Sequence, residues 1–130
     1  MKKKSLDLFA REWFEKASED EQTVKLLLEE GGLPNPICFL SQQMAEKYLK
    51  GFMVFLGYDV EKVHDLTRVA ALIKEKIPEI EDYKEEFTYL NQFYVTTRYP
   101  GDYPTFSMKD AKEAYEAALR VKDFVLEKIK

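Results

Sequence analysis

Apolar side chains recur every three or four residues along almost the whole chain, and no stretch alternates every second residue over a strand's length. A period near 3.6 gathers residues on one helix face, whereas a half-buried strand needs a period of two. The pattern therefore specifies amphipathic helices that bury their stripes against one another. Five glycines and five prolines are too few for a turn-rich all-β chain. With 130 residues, 45% hydrophobic and 34% charged, there is material for one core and too little for two. The expected fold is all-α: an up-and-down four-helix bundle with a short additional helix, as a single domain over residues 1–130.

Punctuation divides the pattern. Leu6, Phe9, Trp13, Ala17, Asp20, Val24 and Leu27 mark a first helix over residues 6–30, ended by Gly31 and Gly32. Asn35 as cap and Pro36 at the first helical position open a second, which stops at Gly57. Phe39 or Leu40, Met44, Tyr48, Phe52 and Phe55 line its inner face. The joint between the two is short, which makes them antiparallel neighbours. A third helix over residues 65–76 has Asp65 as cap and buries Leu66, Val69, Leu72 and Ile73. Pro78 opens a fourth that runs to about residue 97 and is closed by Pro100-Gly101. Ser107-Met108-Lys109-Asp110 reads as a capping box, and Ala111, Ala114, Ala118, Val121, Val125 and Ile129 give the last helix a narrow stripe.

Several functional classes are excluded. The one cysteine, Cys38, allows no internal disulfide and no multi-cysteine zinc site, and it suits a reducing cytoplasm. The longest uncharged run, residues 31–45, holds Pro34, Pro36, Gln42 and Gln43 and cannot span a membrane. The opening lysines are followed by Asp7, Arg11 and Glu12, so no apolar signal core follows them. A net charge of −4 excludes binding to duplex nucleic acid by overall charge; only a local site serves. His64 is the lone histidine, which speaks against a metal site, and no cofactor is expected. There is no phosphate-cradling glycine loop, no Ser/His/Asp arrangement and no pair of catalytic carboxylates.

Three places carry enough polar or aromatic character to be candidate sites. On the second helix Gln42, Glu46 and Lys50 form one ridge and Gln43, Lys47 and Lys50 another. Spacing alone reads this as a solvated surface with a Glu46–Lys50 pair worth about 0.2–0.5 kcal/mol. Asp20, however, falls on the apolar face of the first helix, and a buried carboxylate requires a partner. Lys47 across the tight joint is the candidate, forming a clamp. In the fourth segment Tyr83, Phe87, Leu90 and Tyr94 make one face, and Tyr89 with Phe93 lie roughly 200° round the helix. The expectation for that second face is a homodimer interface, with base stacking as the alternative. Arg98 stands at the exit of the same helix between Tyr94 and Tyr99, with Tyr103 beyond. A guanidinium there suits a carboxylate or phosphate, or a structural pair with Asp102 or Asp20.

Taken in order, Trp13, Ala17-x-x-Asp20, Phe39-x-x-Gln42-Gln43-x-x-Glu46-Lys47-x-x-Lys50, His64-Asp65-Leu66 and Tyr94-x-x-x-Arg98-Tyr99-Pro100, followed by the alanines of the last helix, resemble the HEPN domain family over nearly the whole chain. The resemblance implies a helical bundle that often forms a homodimer. Small stand-alone members are frequently encoded beside a minimal nucleotidyltransferase, as a toxin–antitoxin or substrate-binding pair. Many members are metal-independent ribonucleases with an Arg, four to six residues, then a His. Here Arg98 matches the motif arginine, but Tyr103, Pro104 and Thr105 stand where the histidine belongs. A phenol with an ordinary pKa near 10 is a poor base at neutral pH.

The first expectation is therefore a cytoplasmic, dimeric binding protein that partners a minimal nucleotidyltransferase. It would hold a nucleotide or RNA through Arg98, Tyr99, Lys47, Lys50, Gln43 and Asp20. The second is a metal-independent RNA endonuclease in which Arg98 clamps phosphate while His64 or Tyr103 moves protons. The third is a purely structural dimerising bundle.

Overall fold

The computed structural model describes residues 7–94 and 104–130. Helix α1 spans Leu8–Glu29, α2 Pro34–Phe55, α3 Leu66–Ile73, α4 Lys84–Asn91 and α5 Met108–Lys128, and a 3-10 turn over Pro78–Tyr83 leads into α4. No strand occurs among the described residues. The all-helical bundle is the one that the apolar period specifies. Helices α1 and α5 both pack along α2, and α3 and α4 pack against its remaining flank. No residue from Ile37 to Leu56 is exposed, so α2 is the axis of the core.

Most element ends follow local chemistry. Asp7 caps α1 by accepting from the Phe9 N–H at 2.6 Å. The chain leaves α1 where Gly31 takes φ +70° and leaves α2 where Gly57 takes φ +91°, a region that favours glycine. Asp65 caps α3 through the Thr67 N–H at 2.9 Å. Ser107 and Asp110 complete a reciprocal capping box on α5, with bonds of 3.0 and 2.9 Å.

Helix α2 begins earlier than the sequence suggests. Pro34 takes the first turn and Leu33 is the cap, without a side-chain bond. Asn35 serves elsewhere. Its amide donates to the Pro104 carbonyl at 2.8 Å and accepts from the Phe106 N–H at 3.0 Å. This pins the approach to α5 onto the start of α2.

The fourth helix is shorter than expected, and its aromatic second face is not a free surface. The segment starts as 3-10 and its α-helical part ends at Asn91 rather than near residue 97. Residues 95–97 themselves lie outside the described residues. Stopping the helix lets Phe93 turn inward to 2% exposure. Its ring packs edge-on against Tyr89 at 5.2 Å and Phe106 at 4.8 Å. Tyr89 donates to the Asp110 carbonyl at 3.1 Å, and burial, with Glu113 beside it, pushes its phenol up to about 12. Tyr89 and Phe93 thus cover the start of α5 within one chain, and they supply no argument for a homodimer.

The face of α1 is also rotated from the expected stripe. Ala10, Ala17, Glu21 and Val24 are buried, while Phe9 is 64% exposed. The buried Glu21 carboxylate receives Lys122 Nζ at 2.9 Å, tying α1 to α5, and its charge acts on the phenols of Tyr48 and Tyr115. Burial, then the Glu21 charge, raises both phenols.

The close approach of α1 and α2 depends on Gly51. A Cβ there would lie 2.6 Å from Phe14 Cε1 and 3.0 Å from Trp13 Cβ. Phe14 cannot swing away freely because it stacks on Tyr48 at 6.0 Å. Alanine at a mid-helix glycine ordinarily gains about 1 kcal/mol. Gly51→Ala is instead expected to lose about 1–3 kcal/mol through overpacking. Urea denaturation measures it; a gain in stability would show that the helices separate at no cost.

Candidate functional site

The polar ridge of α2 is not a solvated surface. Gln42 is 0% exposed and Glu46 and Lys50 are 4% each. Trp13 of α1 lies beside Lys50, with the ammonium 5.8 Å from its ring centre. The connection before α3 brings His64 to Glu46. A helical ridge has the same spacing whether water or protein faces it, so the Glu46–Lys50 pair is a buried one rather than the weak surface pair expected.

Glu46 is the hub. Its Oε2 accepts from Lys50 Nζ at 2.9 Å and its Oε1 from Gln42 Nε2 at 3.1 Å. His64 Nδ1 lies 3.2 and 3.1 Å from the two oxygens. Gln42 Nε2 also donates to the His64 carbonyl at 3.2 Å, and Gln42 Oε1 accepts from Gln43 Nε2 at 2.7 Å. A buried ion pair is tolerable when further hydrogen bonds satisfy its remaining capacity, and this one meets that condition. Beside it, Lys47 Nζ reaches Asp20 Oδ2 at 2.7 Å, the clamp expected between the first two helices.

The outer end of the network opens on a groove. The His64 side chain is 44% exposed. Its ring stacks on Tyr94 with centres 4.1 Å apart and planes 15° from parallel. Val63, His64, Asp65, Asn91 and Tyr94 line a shallow groove of about 480 Å³. Asn91 holds its two walls together: its amide donates to Asp65 at 2.8 Å and accepts from the Leu66 N–H at 2.8 Å. The bond from Thr67, above all, keeps the Asp65 carboxyl below the usual carboxylate range. Asp65 and Asn91 are thus occupied in fastening α3 to α4, and this fastening places His64 against Tyr94.

Of the residues singled out from sequence, His64, Gln43 and Lys50 meet in the Glu46 network, and Asp20 and Lys47 pair beside it. Arg98, Tyr99 and Tyr103 lie outside the described residues; Tyr94 and Pro104 bracket that stretch. The sequence reading put Gln42 and Glu46 on a candidate ridge and Tyr94 on an aromatic face without giving any of them a ligand or catalytic role, and it passed over Asn91. The available signal was the position of Gln42 and Glu46 next to Ala45 and Leu49, both fully buried.

Other chemistry is sparse. Among the described residues no group of three or more His, Cys, Asp or Glu side chains is arranged to hold a metal. Cys38 is buried, and burial pushes its thiol up to about 11, which keeps it protonated and inert. No helix among the described residues is long and apolar enough to cross a membrane.

The model of the HEPN domain matches residues 10–129. The crystal structure of TT1696 from Thermus thermophilus is similar, with 31% identity and a TM-score of 0.80 over 92% of this chain and 97% of that one. That of ST0689, described as an archaeal HEPN homologue, is similar at 28% identity with a TM-score of 0.73 over 93% and 98%. No curated protein matches the chain. A family match over nearly the whole helical bundle, together with a relative of the same fold matched over nearly its full length, shows that the chain belongs to the HEPN family.

Proposed function

We propose that this protein binds a nucleotide or RNA and partners a minimal nucleotidyltransferase in a toxin–antitoxin pair, acting as a homodimer. The observation that carries the reading is the stacked His64–Tyr94 pair lining the groove, with Tyr94 four positions before Arg98 in the sequence. Aromatic platforms hold bases through their π-faces, and an arginine close by in sequence suits phosphate. A chain of net charge −4 needs such a local site. Lys47 and Lys50 are each engaged by a carboxylate and shape the site, and the reading gives phosphate to Arg98.

Fluorescence anisotropy with labelled AMP and short single-stranded RNA tests this. His64→Ala and Arg98→Ala are each expected to weaken binding about tenfold, the equivalent of 1.4 kcal/mol. A wild-type protein that binds neither probe, nor a minimal nucleotidyltransferase from the same genome, would end the proposal.

A second reading, metal-independent RNA cleavage, is favoured by one specific observation: Glu46 holds His64 as an orienting carboxylate holds a general base. It calls for cleavage in EDTA that is lost in both Arg98→Ala and His64→Ala. Cleavage that persists in the variants belongs to a contaminant.

A further inference from the structure

We infer that Phe9 and Trp13, on the outer face of α1, form a second base-stacking subsite for a single RNA strand, and that Glu12 beside them selects guanine there. The inference rests on the nucleotide- or RNA-binding reading above and carries the strand beyond the His64–Tyr94 groove.

The subsite follows from how α1 is turned. With Ala10, Ala17, Glu21 and Val24 pressed inward, Leu8 and Phe9 stand 63% and 64% exposed and Trp13 is half-buried. Phe9, Glu12, Trp13 and Lys16 share one helix face and line an open slot of about 270 Å³. The Lys50 ammonium lies over the indole, 5.8 Å from its centre, and steadies the ring from the protein side.

The charge at this end of the chain suits a polyanion. Residues 1–16 hold five cations, Lys2, Lys3, Lys4, Arg11 and Lys16, against three anions, Asp7, Glu12 and Glu15, so they carry +2 in a chain of net −4. Among the described residues Lys16 pairs with Glu19 at 3.6 Å, and both are exposed. A surface pair of that kind holds its cation weakly and yields it to phosphate. A second copy placed here by a two-fold axis would set this positive end against itself. A single strand supplies phosphates for the cations and π-faces for the rings. The two platforms are also close. Beneath Trp13, Lys50 reaches Glu46 at 2.9 Å, and Glu46 reaches His64 at 3.1 Å, so a strand of a few nucleotides extends from slot to groove.

Glu12 gives the slot its choice. Among the described residues nothing pairs with it. An ionised carboxylate accepts through two oxygens and donates nothing. Guanine offers it two neighbouring donors, the ring N–H and the amino group, in the fork that carboxylates bind best. Adenine and cytosine offer one amino group beside an acceptor. Uracil offers one ring N–H between two carbonyls, which the carboxylate repels.

Anisotropy with labelled AMP, hexauridylate and an alternating hexamer of uridine and guanosine tests both parts. Phe9→Ala removes an exposed ring and opens no core cavity; it should weaken both hexamers about tenfold and leave AMP unchanged. The wild type should bind the alternating hexamer about tenfold tighter than hexauridylate, as hydrogen bonds to a charged acceptor imply. In Glu12→Gln that ratio should fall to about one with hexauridylate binding kept. Hexamers indifferent to Phe9→Ala overturn the subsite. Equal binding of the two hexamers by the wild type overturns the guanine selection alone. Sedimentation in which Phe9→Ala turns a dimer into a monomer gives the face to a second copy and overturns the subsite. Hexamer binding that depends on Phe9 while AMP does not bind overturns the groove reading and keeps the subsite; binding of no probe overturns both.

Discussion

Glu46→Ala is expected to cost about 3–5 kcal/mol of stability, because it strands a buried ammonium. Lys50, 4% exposed, would keep no anion, and Gln42 and His64 would each lose an acceptor. For a chain of this size the loss lowers the melting temperature by roughly 10–20 °C. The informative contrast is Glu46→Leu/Lys50→Met. It removes both charges at nearly constant volume and is expected to lie within about 1 kcal/mol of the wild type. Urea unfolding of the wild type, the single variants and the double variant gives the coupling energy directly. A single variant as stable as the wild type would mean that water reaches Lys50 after all.

Phe93→Ala is expected to cost about 3–5 kcal/mol as a cavity in a packed aromatic cluster. The ring stands edge-on to both Tyr89 and Phe106, so its loss loosens α4 and the approach to α5 together. The result also separates two uses of these aromatics. If Phe93 served an interface between copies, its loss would shift a melting temperature that depends on protein concentration. The expected loss is the same at concentrations tenfold apart. A concentration-dependent change would return the aromatic pair to the role first read from its position on the helix.

Legibility in the sequence tracks the range of the interaction. The Ser107–Asp110 box, the Asp65 cap and the glycine stops involve partners within a few residues, and pattern alone identifies them. The Asp20–Lys47 clamp spans 27 positions but follows from one misplaced carboxylate and a short joint. The rest required knowing what packs where. Gln42, Glu46 and Lys50 read as a wet ridge because nothing local says that Trp13 and His64 will cover them. Asn35 read as a helix cap because its true partners, Pro104 and Phe106, lie about 70 residues away. Phe93 read as outward because the helix was extended past Asn91, and only tertiary packing ends it there. On α1, Gly51 of the neighbouring helix selects which flank is pressed inward, and the sequence of α1 holds no record of that choice.

No residue of the central rod from Ile37 to Leu56 is exposed. Its amide protons therefore trade with heavy water only when the whole molecule opens, while the ends of α1 and α5 exchange by fraying. Isotope uptake along this one rod reports the global unfolding free energy directly. A ligand in the groove, which touches the rod only through an imidazole, would slow that uptake by as much as it binds.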